Sequence, residues 1–149
     1  LRLLTILAVI WEWELLRRGR CDFGFLILNF QWKRMKDGNL ILEESYDFAI
    51  EVVRISRKMR EIKEFDLASQ FWRAGTSIGA NIEEAQAAQS RADFRSKMSI
   101  ASKEARESYY WLRLTRDARI LPHDDILPML EKIQMIIRIL TSIVKSSHD

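Results

Sequence analysis

The chain has 149 residues, 48% hydrophobic and 30% charged, the balance of one globular domain with material for a full core. Its net charge of +3 comes from residues 1–34, where six Arg/Lys face three Asp/Glu. Residues 35–149 hold 18 of each sign, so a pI near 9.2 is no evidence that the main domain binds nucleic acid. One cysteine and two histidines exclude a disulfide framework and a Cys- or His-cluster metal site, and they favour a reducing, cytoplasmic setting. With 5 Gly and 2 Pro there is little turn material, so long helices joined briefly are expected.

Residues 1–34 hold three of the five tryptophans and keep no apolar periodicity beyond a turn or two. The apolar run Leu3–Trp11 is too short to span a bilayer, which needs roughly 20 residues, and no small-residue cleavage site follows it. "FGFLILNF" (Phe23–Phe30) reads as a buried strand or a helix fragment. Met35 is a candidate natural start, with residues 1–34 as upstream sequence read in frame; the domain is then 35–149.

Four amphipathic segments follow. Phe48, Val52, Ile55, Met59 and Ile62 step by four and three, predicting a helix over about 44–63. Leu67, Phe71, Ala74, Ile78, Asn81, Ala85 and Ala88 continue those steps over about 66–88. The third helix, about 91–118, has the core line Phe94, Met98, Ala101, Ala105, Ser108, Leu112 and Thr115, opened by a capping box from Ser90 to Asp93. The fourth, about 125–146, has Ile126, Leu130, Ile133, Ile137, Leu140 and Val144, with Asp124 or Asp125 as cap and Pro128 in the first turn. The fold class is all-α: an antiparallel, up-down-up-down, left-handed four-helix bundle.

Two helices carry more apolar surface than one core line uses. Met129, Ile136 and Ile143 form a second row on the fourth helix, and Ile100, Trp111 and Leu114 lie well around the third. A broad core stripe accounts for this. So does burial between subunits, which is the favoured account and assigns Trp111, Leu114, Met129, Ile136 and Ile143 to a homo-oligomer interface.

"RAGTSIGANIEEA" (Arg73–Ala85) sets Gly75 and Gly79 one turn apart. A phosphate-binding loop would need a lysine after the last glycine, and a dinucleotide fingerprint a preceding strand; neither is present. The glycines instead read as a notch for a close-packed neighbour, with Ala101 and Ala105 of the third helix as the expected complement and Asn81 on the core line. Glu83 and Glu84 lack the Glu-x-x-His partners of a carboxylate metal site, and His123 and His148 sit near no nucleophile. No catalytic residue, metal, cofactor or small-molecule substrate is assigned.

"GTSIGANIEEA" (Gly75–Ala85) followed by "QSRADFRSKMSIASKEARESYYWL" (Gln89–Leu112) resembles the bacterial four-helix-bundle proteins encoded in intervening sequences of large-subunit ribosomal RNA genes, related to the accessory protein of diversity-generating retroelements. The match runs from about Tyr46 to Arg119. The resemblance implies a ring-like homopentamer with no catalytic activity. For the retroelement branch it also implies binding to nucleic acid and to a reverse transcriptase through a basic surface.

Such a surface has a candidate on the third helix. Arg95, Arg106 and Arg113 project in a narrow sector, flanked by Lys103, Arg116, Tyr109 and Tyr110 and interrupted by Asp117. Arg54, Arg57 and Lys58 of the first helix add to it. The competing account is an ordinary solvated face neutralised by Glu104 and Glu107, which leaves a protein-interaction scaffold without nucleic-acid affinity.

Overall fold

The computed structural model describes residues 39–147; segment 1–34, a start at Met35, and His148 lie outside them. Four helices follow in order: α1 Asn39–Glu61, α2 Phe65–Gln86, α3 Arg91–Asp117 and α4 His123–Ser146. No strand occurs among the described residues. The main departure from the expected spans is the start of α1, at Asn39 instead of about residue 44, which brings Ile41 into the core.

The helix ends show how a glycine-poor chain makes its turns. Ser90 is extended and its hydroxyl accepts from the Asp93 N–H at 3.1 Å, while the Asp93 carboxylate accepts from the Gln89 N–H at 3.2 Å, so the expected cap forms. α1 and α3 both stop in Schellman geometry. Lys63 N–H bonds Arg60 O at 3.0 Å and Glu64 N–H bonds Met59 O at 2.9 Å. Arg119 N–H and Ile120 N–H repeat the pattern on Arg116 O and Thr115 O, each at 3.0 Å. Lys63 (φ 69°) and Arg119 (φ 54°) therefore occupy the left-handed position that glycine fills best.

α4 begins differently from its expected start. Pro122 holds the N-cap position, no side chain caps the helix, and Asp124 and Asp125 lie inside the first turn, where they favour the helix dipole. Asp125 is engaged instead with Lys58 of α1, Nζ to Oδ1 at 2.7 Å. Pro128 falls beyond the first turn, within the helix, so the Asp124 carbonyl loses its usual donor.

Each helix packs on the next and α4 closes back on α1, enclosing one core. The paired contacts run in opposite directions along neighbouring helices. Val52 and Ser45 of α1 lie against Gly75 and Gly79 of α2 respectively. Lys58 and Asp47 of α1 meet Asp125 and Lys132 of α4, and Arg106 and Tyr109 of α3 meet Thr141 and Gln134 of α4. Phe48, Val52, Met59, Phe71, Ile78, Ile82, Met98, Leu112, Ile126, Ile133, Ile136 and Leu140 are fully buried, each contributing about 1.5–3 kcal/mol of hydrophobic stabilisation.

Four expectations about this core need correction. Ile62, the last residue of the expected α1 line, lies past the end of the helix and is 49% exposed. Met129 and Ile136 are 3% and 0% exposed, so they fill the bundle and are not available to a second subunit. Ile137, expected inside, is half-buried. α4 wedges between α3 and α1 and must bury a stripe wider than one row. Asn81 is off the core line: Ile82 takes that place, and the half-buried Asn81 amide donates to Ser77 O of its own helix at 2.8 Å. A straight helix drifts about 20° per heptad from a strict 3.5-residue count, which moves residue 81 off the seam.

The glycine notch is real but faces α1, not the small residues of α3. A Cβ on Gly75 would come within 2.5 Å of Val52 Cγ2 and 2.8 Å of Cγ1. Ala101 and Ala105 are fully buried, as their core line requires, but they are not what the glycines admit. Gly79 is roomier, its nearest neighbour being Ser45 O at 3.7 Å from the Cβ position.

Gly75→Ala and Gly79→Ala should therefore differ in sign in a urea titration. The first overpacks a stiff, buried valine at about 1–3 kcal/mol, outweighing the roughly 1 kcal/mol gain in helix propensity. The second keeps most of that gain. Lys63→Gly and Arg119→Gly, each relieving a left-handed cap, should raise stability by about 1 kcal/mol by the same measurement.

Candidate nucleic-acid interface

α3 is 27 residues long and buries Met98, Ala101, Ala105, Ser108, Leu112 and Thr115. At about 100° per residue, Arg95, Arg106 and Arg113 fall within about 20° of one another, on the flank of the exposed face that leans toward α4. Lys103, Arg106, Tyr110 and Arg113 are exposed, whereas Arg95 and Arg116 are half-buried.

Contacts to α4 hold the middle of this row. Arg106 Nη2 donates to Thr141 Oγ1 at 3.3 Å, and the Thr141 hydroxyl donates to Ile137 O at 2.7 Å. The Arg113 guanidinium stands 5.0 Å from the centre of the Tyr109 ring, and the Tyr109 hydroxyl accepts from Gln134 Nε2 at 3.0 Å. Tyr110 packs edge-on to Trp111, with ring centres 4.9 Å apart at 72°. Arg116 differs from the others, because its Nε bonds Asp117 Oδ1 at 2.8 Å. That bond raises the Arg116 pKa and lowers that of Asp117.

The acids expected to neutralise the row are engaged on the opposite flank. Glu107 Oε1 accepts from the Trp111 indole N–H at 3.3 Å. Glu104 is half-buried beside Glu107, with Arg73 of α2 nearby. Burial, then Glu107, push its carboxyl above the ordinary range against the pull of Arg73. Among the described residues, ion pairs form at Arg54, Lys58, Lys97, Arg116 and Lys132, and none at Lys103, Arg106 or Arg113. Arg54 and Lys58 of α1 are thus paired with Glu51 and Asp125 and do not extend the row.

α4 supplies cations that the sequence reading missed. Gln134, Arg138, Thr141 and Lys145 recur at helical spacing, and Gln134 and Thr141 touch Tyr109 and Arg106, so Arg138 and Lys145 share the border with α3. Both are exposed and form no ion pair among the described residues. Their signal in the sequence is that spacing, interleaved with the apolar rows of α4.

The candidate interface residues separate. Leu114 is 39% exposed, Trp111 and Ile143 are half-buried, and Ile100 joins Leu114 on the α2-facing flank of α3. α1 and α2 add exposed Tyr46, Ile50, Phe65 and Trp72, which no periodicity argument had singled out. Glu84 pairs with Lys97, and no group of three or more potential metal ligands gathers among the described residues. A hollow of about 610 Å³ opens at the bundle end, between Ala85, Ser90, Phe94 and Ser147, with no histidine or carboxylate among the described residues that line it. No helix of the described residues is long and apolar enough to cross a membrane.

Comparison with known proteins follows the same residues. The model of a family described as 23S rRNA-intervening sequence protein matches residues 38–142. A crystal structure of a protein of unknown function from the S23 ribosomal protein family, from Bacteroides thetaiotaomicron, is 40% identical. The match covers 72% of this chain and 97% of that one, with a TM-score of 0.70. Comparison with curated proteins finds no match.

The raised Glu104 carboxyl gives a pH test. Its ionised form is the costly one, so the cost is absent below the unfolded-state pKa and complete above the folded one. Glu104→Gln should raise the thermal midpoint at neutral pH, and the gain over the parent should vanish as the pH falls through the carboxylate range.

Proposed function

The chain belongs to the 23S rRNA-intervening sequence protein family, and from that premise we propose a non-enzymatic, self-associating four-helix bundle that binds RNA along α3. The observation that carries the reading is the pair Arg106 and Arg113. Both are exposed on one flank and without an acid partner among the described residues, while Glu104 and Glu107 face the other flank. Water solvates such charges in the free protein, and an unpaired local excess of cation is what RNA phosphates would neutralise in a complex. A cytoplasmic location goes with that ligand.

Self-association is supported by the apolar side chains outside the core. Ile100, Leu114 and Trp111 lie on α3, and Tyr46, Ile50, Phe65 and Trp72 on α1 and α2. Two different apolar faces on one subunit suit a head-to-tail ring, and a homopentamer is the proposed closure. A ring would repeat the α3 cations around its circumference and multiply a modest charge. A scaffold for protein partners, a reverse transcriptase among them, is the second reading; the exposed Phe65 and Trp72 favour it.

Arg106→Glu with Arg113→Glu discriminates. RNA affinity at low salt should fall at least 100-fold and the log–log salt slope should shrink by about two, with the sedimentation coefficient unchanged. Unaltered RNA affinity, or none in the parent, leaves the scaffold reading; a monomer in sedimentation removes the ring.

A further inference from the structure

Resting on the RNA reading, the geometry points to a single strand as the ligand, held between cations of α3 and α4 with a base stacked on Tyr110. The first ground is the pairing of rows. Arg106 and Arg113 stand on the α4-facing flank of α3, and Arg138 and Lys145 on the α3-facing border of α4. The Arg106–Thr141 and Tyr109–Gln134 contacts set the register, so Arg138, between Gln134 and Thr141 in α4, comes level with Arg106 and Tyr109. All four cations are exposed and make no ion pair among the described residues. They border one seam, which suits a phosphate backbone running along a single track.

The second ground is Tyr110. It lies about 40° around α3 from Arg106, is 49% exposed, and is braced edge-on by Trp111. Its neighbour Tyr109 cannot serve in the same way, because the Arg113 guanidinium covers the ring and Gln134 holds the hydroxyl. A half-exposed aromatic ring beside a phosphate track suits stacking by an unpaired base, whereas a duplex keeps its bases stacked inside.

The test is fluorescence anisotropy of the full chain with a uridine dodecamer and with an RNA duplex of equal length. The dodecamer should bind more tightly. Tyr110→Ala should weaken it roughly 5- to 100-fold without changing the salt slope, and Tyr110→Trp should retain binding. Arg138→Ala with Lys145→Ala should instead shrink the slope by about 1.4, as expected for two phosphate contacts to a single strand. Equal or tighter duplex binding, or dodecamer binding indifferent to Tyr110→Ala, overturns the strand assignment and leaves the RNA reading standing. Dodecamer affinity and slope unchanged by the Arg138/Lys145 pair overturn the α4 half of the track. Binding of neither RNA overturns both.

Discussion

The bundle is organised around one close approach, Val52 of α1 seated where Gly75 of α2 lacks a β-carbon. With the valine methyl groups at that depth, a shift of α1 along α2 short of the full turn to Gly79 would drive Val52 into a residue that has a side chain. α2 is thereby fixed on one side and offers its other side to α3. There Glu84 pairs with Lys97, and Arg73 lies near Glu104. α3 in turn meets α4 through Arg106 and Tyr109. The rotation of α3, and hence which of its charges look outward, follows from a packing contact on the opposite side of the molecule.

That rotation divides the exposed part of α3. Toward α2 it carries Ile100, Glu104, Glu107, Trp111 and Leu114; toward α4 it carries Arg95, Arg106 and Arg113. The division matters more than net charge. The domain has as many acids as bases, yet a local excess of cation survives because the acids of the same helix are held elsewhere, Glu107 by an indole and Glu104 by partial burial. A neutral protein acquires a basic edge through side-chain placement alone.

The sequence was most informative where one helix meets one core. α3 holds a seven-residue line, and all of it except half-buried Phe94 is buried. It was least informative where burial depends on the number of neighbours. Met129 and Ile136 looked surplus because a line of apolar residues does not say how wide a stripe the adjoining helices will cover. Gly75 announced a close approach but not with which helix. The stops after α1 and α3 were invisible as motifs, since Lys63 and Arg119 stand where glycine would have signalled them. The unpaired state of Arg106 was less legible, because Glu107 is its neighbour in sequence while that carboxylate is taken by Trp111, one turn on in the same helix.

Pro128 gives α4 two mechanical parts. Beyond it the helix is tied to α3 by Gln134 and Thr141 and sealed by Ile133, Ile136 and Leu140. Before it, His123–Leu127 forms a short lead-in with no side-chain cap and one backbone bond fewer, held by buried Ile126 and the Lys58–Asp125 pair. Local opening of the bundle is therefore expected to begin at this lead-in, as a fraying unit where α4 meets α1. The cationic seam with α3 lies on the far side of the proline, so α4 can breathe at its start while the proposed RNA surface keeps its shape.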